Sequence, residues 1–233
     1  MIDVNAPDFW PTLIANVLRA TGDTLYMVGI TMVLTAVFGL AIGVLLVVTD
    51  RGGILDAPFG SRALGRAINA VLGFVVNVLR STPFVILMIA LIPFTYLLLG
   101  TSFGNTAATV PLAVAAIPFF ARIVEIGIRE VPGGLVEAAE SLGATRWQIL
   151  RKVLVPEALP ALILGFTTTV VSIINFSAIA GVVGAGGLGA LAITRGYQQY
   201  NWQYIVVIVV VLVVLVQLLQ SLGGVLAKRL SHR

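Results

Sequence analysis

Few residues in this sequence have the types and spacing that chemistry requires. The densest mixed-charge stretch is 125–156, where Glu137, Glu140 and Arg146 stand among Ala138, Ala139, Gly143 and Ala144. Small side chains let a second protein surface approach closely, and the charged ones offer contacts around that approach. A second set, Thr168, Ser172 and Asn175, is spaced i, i+4, i+7 and falls on one face of a helix. Hydroxyl and amide groups on an apolar helix either bond to a neighbouring helix or line the path of a polar solute. A third set, Gly184, Gly186 and Gly189, has the spacing of a dinucleotide fingerprint, which also needs an acidic residue about 20 positions later. No Asp or Glu follows Glu157, so that reading is rejected. The glycines are assigned instead to close helix crossing or a tight re-entrant turn.

Catalytic and metal chemistry find no support. The chain has no cysteine, hence no disulfide framework, thiolate nucleophile or cysteine-ligated metal. Its one histidine, His232, sits at the terminus. The apolar stretches hold no Asp, Glu or His beyond Glu125 at an end, which argues against a membrane-embedded enzyme, since such a site needs convergent titratable groups. No glycine-lysine pair of a phosphate-binding loop occurs, so the chain offers no such route to ATP. No catalytic residue and no metal ligand is assigned.

The elements that must carry these residues follow from where charge is missing. Hydrophobic residues make up 59% of the 233 and charged ones 10%, against about 25% charged in soluble domains. Residues 25–48, 81–121, 158–194 and 196–227 contain no Asp, Glu, Lys or Arg. Each is long enough for a bilayer, which takes about 20 apolar residues. The expected architecture is an all-α integral membrane protein of about five spans, forming a single domain over residues 1–233. The first span is 25–48, with Thr24 at its start. Residues 67–99 read as one long helix kinked at Pro83, with Arg80 near its entry side. A turn at 100–105 leads to a third span over 107–126. The fourth begins near Ala158 and ends in the glycine-rich stretch 181–189. The fifth is 204–226, whose valine-rich part at 206–216 reads as lipid-facing. Residues 1–23 are polar, are broken by Pro7 and Pro11, and lack the pattern of a cleaved signal peptide.

Basic residues orient the spans. Arg51, Arg62 and Arg66 fall in a loop after span one that also carries Pro58. Arg129, Arg146, Arg151 and Lys152 lie between spans three and four, and Lys228, Arg229 and Arg233 in the tail. Only Arg19 and Arg195 fall on the other side. With five spans, the basic segments share one face, which the positive-inside rule makes cytoplasmic. The N-terminus is expected outside and the C-terminus in the cytoplasm. The distribution fits a membrane topology signal rather than a nucleic-acid face.

The segment 132–156 is then cytoplasmic. Pro132-Gly133-Gly134 breaks the third span, and 135–142 is a run of helix formers with Glu137 in the first turn, where the helix dipole favours an anion. Gly143 suits a C-terminal cap, Thr145 and Gln148 have capping-box spacing, and Pro156 is expected to close the second helix. Glu137-Ala138-Ala139, Gly143, Val153, Val155 and Pro156 at this spacing resemble the EAA motif of the membrane-spanning permease subunits of bacterial ABC importers. Val153 and Val155 depart conservatively from that family's Ile-x-Leu-Pro ending. Arg80-Ser81-Thr82-Pro83-Phe84 and Gly184-Ala185-Gly186-Gly187-Leu188-Gly189 resemble the methionine branch.

The resemblance implies a non-enzymatic subunit of the bacterial inner membrane. Two copies would form the path for a small solute by alternating access. Methionine is the cargo implied, with glycine betaine or another amino acid as the alternative. The segment carrying Glu137, Ala138, Ala139, Glu140, Gly143, Ala144 and Arg146 would be the coupling helix, seated on one of two separate ATPase subunits that hold ATP and Mg. A periplasmic or lipid-anchored binding protein would deliver the substrate, which Thr168, Ser172 and Asn175 would meet. This chain itself would bind no cofactor.

Overall fold

A computed structural model describes residues 7–50 and 61–230, with the side chain of Arg62 excepted. Arg51, Pro58, His232 and Arg233 lie outside the described residues. Every regular element among the described residues is helical, and five helices are long and apolar enough to cross a membrane. The expected number of spans holds, while several boundaries move.

Helix α1 runs Phe9–Val48, far earlier than the absence of charge suggested, with one widened π turn at Thr35–Gly39. Pro11 does not interrupt it, because a proline in the first turn gives up only an N–H that has no helical partner. Thr24 is therefore not a helix start; it is buried in the middle of α1. The stretch 67–99 is broken rather than kinked. Helix α2, Arg62–Ser81, stops where Thr82 turns extended at ψ 125°, the conformation that a following proline imposes on its neighbour. Pro83 at ψ 133° leads into α3, Phe84–Ala90, and α4, Ile92–Leu99. Arg80 accordingly sits in the last turn of α2, not near the entry of a long span. The turn at 100–105 is present, made by Gly100 at φ +72° and Gly104 at φ +92°.

Helix α5, Asn105–Arg129, is followed by α6, Gly133–Ser141. Helix α7 runs Arg146–Val182, so Pro156 does not close it. A π turn over Leu150–Leu154 ends just before Pro156, and the ladder is opened there at the point where the proline supplies no donor. Helix α8, Gly187–Leu191, leads through a π turn, Ala192–Tyr197, to α9, Trp202–Leu230.

The described chain packs as two compact units. One is drawn from 7–33, 83–115 and 170–220. In it Leu13, Val17 and Ala20, at i, i+4, i+7 on α1, bury against Leu188 of α8 and Tyr204 and Ile208 of α9. Asn16 Nδ2 donates to the Tyr204 hydroxyl at 2.9 Å. Phe84 stacks on Phe176 with centroids 4.7 Å apart. Only one side of 206–216 in α9 is open as the lipid-facing reading requires: Val206, Val209, Val210, Val213 and Val214 are exposed, while Ile208 is buried and Val207, Val211 and Leu212 pack against the core with α1.

The other unit is drawn from 34–50, 61–82, 116–169 and 221–230. Its core holds Val48 of α1, Phe120, Val124 and Ile128 of α5, and Ile149, Leu150, Leu154, Ala158 and Leu162 of α7. A Cβ on Gly43 would lie 2.5 Å from Val124 Cβ and 2.6 Å from the Ala121 carbonyl, so α1 and α5 cross with no room for a side chain there. Asn69 of α2 donates to the carbonyl of Leu46 at 2.7 Å and to Thr49 Oγ1 at 3.2 Å, which satisfies the end of α1.

Candidate functional site

The segment after α5 is built as a helix, a left-handed glycine turn and a second helix. Pro132, at φ −58° and ψ 126°, starts α6, whose first two positions are Gly133 and Gly134. Glu137 therefore lies beyond the first turn of α6, and the dipole argument for it does not apply. The glycines extend the helix backward because Pro132 presets the entry and supplies the carbonyl to which Leu135 N–H donates at 3.1 Å.

At the other end, Gly143 takes φ +77°, Ala144 N–H donates to the Ala139 carbonyl at 3.0 Å, and Gly143 N–H donates to that of Glu140 at 2.9 Å. This pair of bonds is a Schellman cap, which a residue with a Cβ closes only under strain. Thr145 then begins α7 with a full capping box: Gln148 N–H donates to Thr145 Oγ1, and Thr145 N–H donates to Gln148 Oε1 at 2.8 Å.

The two faces of this segment differ. Val136, Ala139 and Ala144 pack on the core of Val48, Val124, Ile128 and Ile149. Ala138, Glu137, Glu140 and Arg146 are exposed, together with Leu135, Leu142 and Trp147. Leu142 is 88% exposed and Trp147 66%. The small-residue patch is thus divided. Ala139 and Ala144 are small because they lie against the protein's own core, while Ala138 and Gly143 face outward. Sequence reasoning missed Leu142 and Trp147, and their signal was present: large apolar residues flanking a glycine cap in an otherwise charged stretch.

On α7, Thr168 belongs to the second unit; it is exposed, and its hydroxyl donates to the Leu164 carbonyl at 3.0 Å. Ser172 and Asn175 belong to the first unit. Ser172 is half-buried, and Asn175 is exposed with no protein hydrogen-bond partner among the described residues. A side-chain amide in an apolar helix gains most from a partner. Asn175 is therefore the member of the set best able to bind something outside its own unit.

The glycine-rich stretch closes back on its own unit. Gly104 N–H donates to the Gly184 carbonyl at 3.0 Å, Gly186 N–H to Asn105 Oδ1 at 2.8 Å, and Leu188 N–H to Thr24 Oγ1 at 2.9 Å. The N–H groups of Ala185, Gly186 and Leu188 thus already have internal acceptors. Gly184 and Gly187 take φ +109° and +85°. Gly181 and Gly189 bring α7 and α8 so close that a Cβ on either would strike the backbone of Ala190 or Ala178. The stretch is a packed turn.

Among the described residues no group of His, Asp or Glu is arranged to hold a metal ion. One buried acid stands out. Glu125 accepts from Arg122 at 2.6 Å and from Arg129 at 2.9 Å, and Arg129 in turn reaches Asp50 at 2.7 Å.

Comparison with known proteins agrees with this architecture. Residues 52–232 match the family model described as binding-protein-dependent transport system inner membrane component. The chain is 48% identical over 216 residues to the probable D-methionine transport system permease protein MetI of Vibrio cholerae, covering 93% of this chain and 92% of that protein. It is 44% identical over 164 residues to the D-methionine transport system permease protein MetI of Escherichia coli K12, covering 70% and 72% of the two chains. It superposes on a chain from inward facing conformations of the MetNI methionine ABC transporter with a TM-score of 0.86 and 41% identity, over 98% of this chain and 100% of that one. This chain belongs to the family of binding-protein-dependent transport system inner membrane components.

Proposed function

We propose that this chain is the permease subunit of an ATP-driven importer for methionine, working as one of two copies in the bacterial inner membrane. Its N-terminus lies outside and its C-terminus in the cytoplasm. Two separate ATPase subunits hold ATP and Mg and hydrolyse the nucleotide. A periplasmic or lipid-anchored binding protein brings the substrate to the outer face. The similarity to methionine permeases over 93% of the chain supports the cargo.

The observation that carries the mechanism is the outward face of α6. The capped, core-backed segment exposes Leu135 of α6, Leu142 at its C-terminal cap and Trp147 at the start of α7, together with the charged Glu137, Glu140 and Arg146. Exposed apolar anchors ringed by charge are the usual anatomy of a protein interface. The segment 132–156 therefore docks on the ATPase, with Ala138 and Gly143 allowing close approach and Ala139 and Ala144 fixing the helix to its own core. Movement of the ATPase pair shifts α6 and switches the permease between inward and outward openings. Thr168, Ser172 and Asn175 of α7 meet the substrate on its way.

Leu142→Glu tests the docking reading. It removes an anchor without touching the core, so the purified permease should keep its fold and lose the co-purifying ATPase. Wild-type co-purification and uptake would show that α6 is not the docking element.

A further inference from the structure

Helix α5 ends in a charge network built around a buried acid. The Glu125 side chain is 7% exposed. Its Oε2 accepts from Arg122 Nη1 at 2.6 Å, and its Oε1 accepts from Arg129 Nε at 3.1 Å and Nη2 at 2.9 Å. The remaining nitrogen of that guanidinium, Nη1, lies 2.7 Å from Asp50 Oδ2, two residues beyond the end of α1. One arginine thus holds a carboxylate from each of two elements, in the fork geometry that suits it.

Stability is a poor account of this arrangement. Only Glu125 is buried; the Arg122, Arg129 and Asp50 side chains are 36%, 46% and 34% exposed, and ion pairs open to solvent to that degree add little to stability. Geometry is a better one. Only residues 130–132 separate Arg129 from the start of α6. Through Val136, Ala139 and Ala144, α6 packs on the core that contains Val48 of α1 and Val124 and Ile128 of α5. When α6 is displaced, the ends of α1 and α5 either travel with it or the short linker yields. Separating those ends would break the Arg129–Asp50 pair, the tie between the two elements, while Glu125 keeps Arg122 and Arg129 on its own helix and holds the Arg129 guanidinium in place for Asp50.

We propose that Asp50, Arg122, Glu125 and Arg129 form an ionic clamp that makes the ends of α1 and α5 one body with α6, so that a push on α6 reaches the membrane helices. The clamp rests on the reading of α6 as the ATPase-docking segment. Asp50 and Glu125 act as positioning residues and touch no substrate.

The test uses the permease with its ATPase partner in proteoliposomes, with ATP hydrolysis and methionine uptake measured on the same vesicles. Asp50→Asn cuts the tie between α1 and α5 at a residue about a third exposed, where folding is least at risk. It should keep the ATPase bound and hydrolysing while methionine moved per ATP falls about tenfold, the scale of a typical coupling energy. Asp50→Glu should restore the ratio, and Glu125→Gln should lower it further. An unchanged ratio in Asp50→Asn overturns the clamp, as does loss of the bound ATPase in that variant, which would make the network a support for docking instead. Failure of the docking reading itself is seen separately, as wild-type ATPase binding in Leu142→Glu.

Discussion

Gly143 shows how much a single backbone angle can set. Its φ of +77° closes the cap that turns α6 into α7, yet a Cβ built on it meets nothing within 4 Å. A substitution there is opposed by conformation alone. Gly143→Val should therefore destabilise the turn by about 1–2 kcal/mol, the cost of a left-handed conformation for an L-residue. Thermal unfolding of the purified permease in detergent would register that loss. A variant as stable as the parent would show that the turn is held by something other than this cap. Asn175 offers a different residue-scale expectation. Its amide is exposed and unpartnered in its own unit, so Asn175→Ala should raise the KM for methionine uptake several-fold and leave ATPase co-purification intact. An unchanged KM would remove Asn175 from the substrate path.

Among elements, the sequence was most legible where charge vanished and least where proline acted. Uncharged runs marked four of the five spans, because a bilayer admits little else, but missed α2, which carries Arg66 and Arg80, and the first half of α1, which carries Arg19 and Asp23. Prolines were harder to read, because their effect depends on position within the hydrogen-bond ladder. Pro11 falls in a first turn and is harmless, Pro83 follows an extended Thr82 and divides two helices, and Pro156 follows a π turn and is carried through. The segment 132–156 was legible in its caps, since Gly143, Thr145 and Gln148 act through local bonds. Its inward and outward faces were not, because Ala138 and Ala139 differ only in the core behind them. The charge network was invisible for a similar reason: Asp50 and Arg129 are far apart in sequence and meet only when α1 and α5 cross. That crossing gives the element-scale prediction. Gly43→Leu would push a side chain into Val124 and the Ala121 backbone, and overpacking of this kind costs about 1–3 kcal/mol. The variant should unfold at lower temperature; undiminished stability would mean that α1 and α5 do not approach as closely as described.

For the whole molecule, the absence of any cysteine makes orientation directly measurable. Tyr200 is 93% exposed between α8 and α9, and Leu142 is exposed at the cap of α6. With the N-terminus outside, Tyr200→Cys should react with a membrane-impermeant thiol reagent in intact spheroplasts, and Leu142→Cys only after the membrane is opened. The reverse pattern would invert the topology and place the basic segments outside, against the positive-inside rule. The same orientation puts α6 where a cytoplasmic ATPase can reach it, which is the condition for all of the proposed coupling.

The central claim is that this chain conducts methionine under the control of an ATPase seated on α6. Accumulation of radiolabelled methionine by proteoliposomes containing the permease, its ATPase and its binding protein tests it most directly. ATP-dependent accumulation that is lost in Leu142→Glu is the result predicted. Accumulation of another solute in place of methionine, or uptake indifferent to Leu142→Glu, would contradict it.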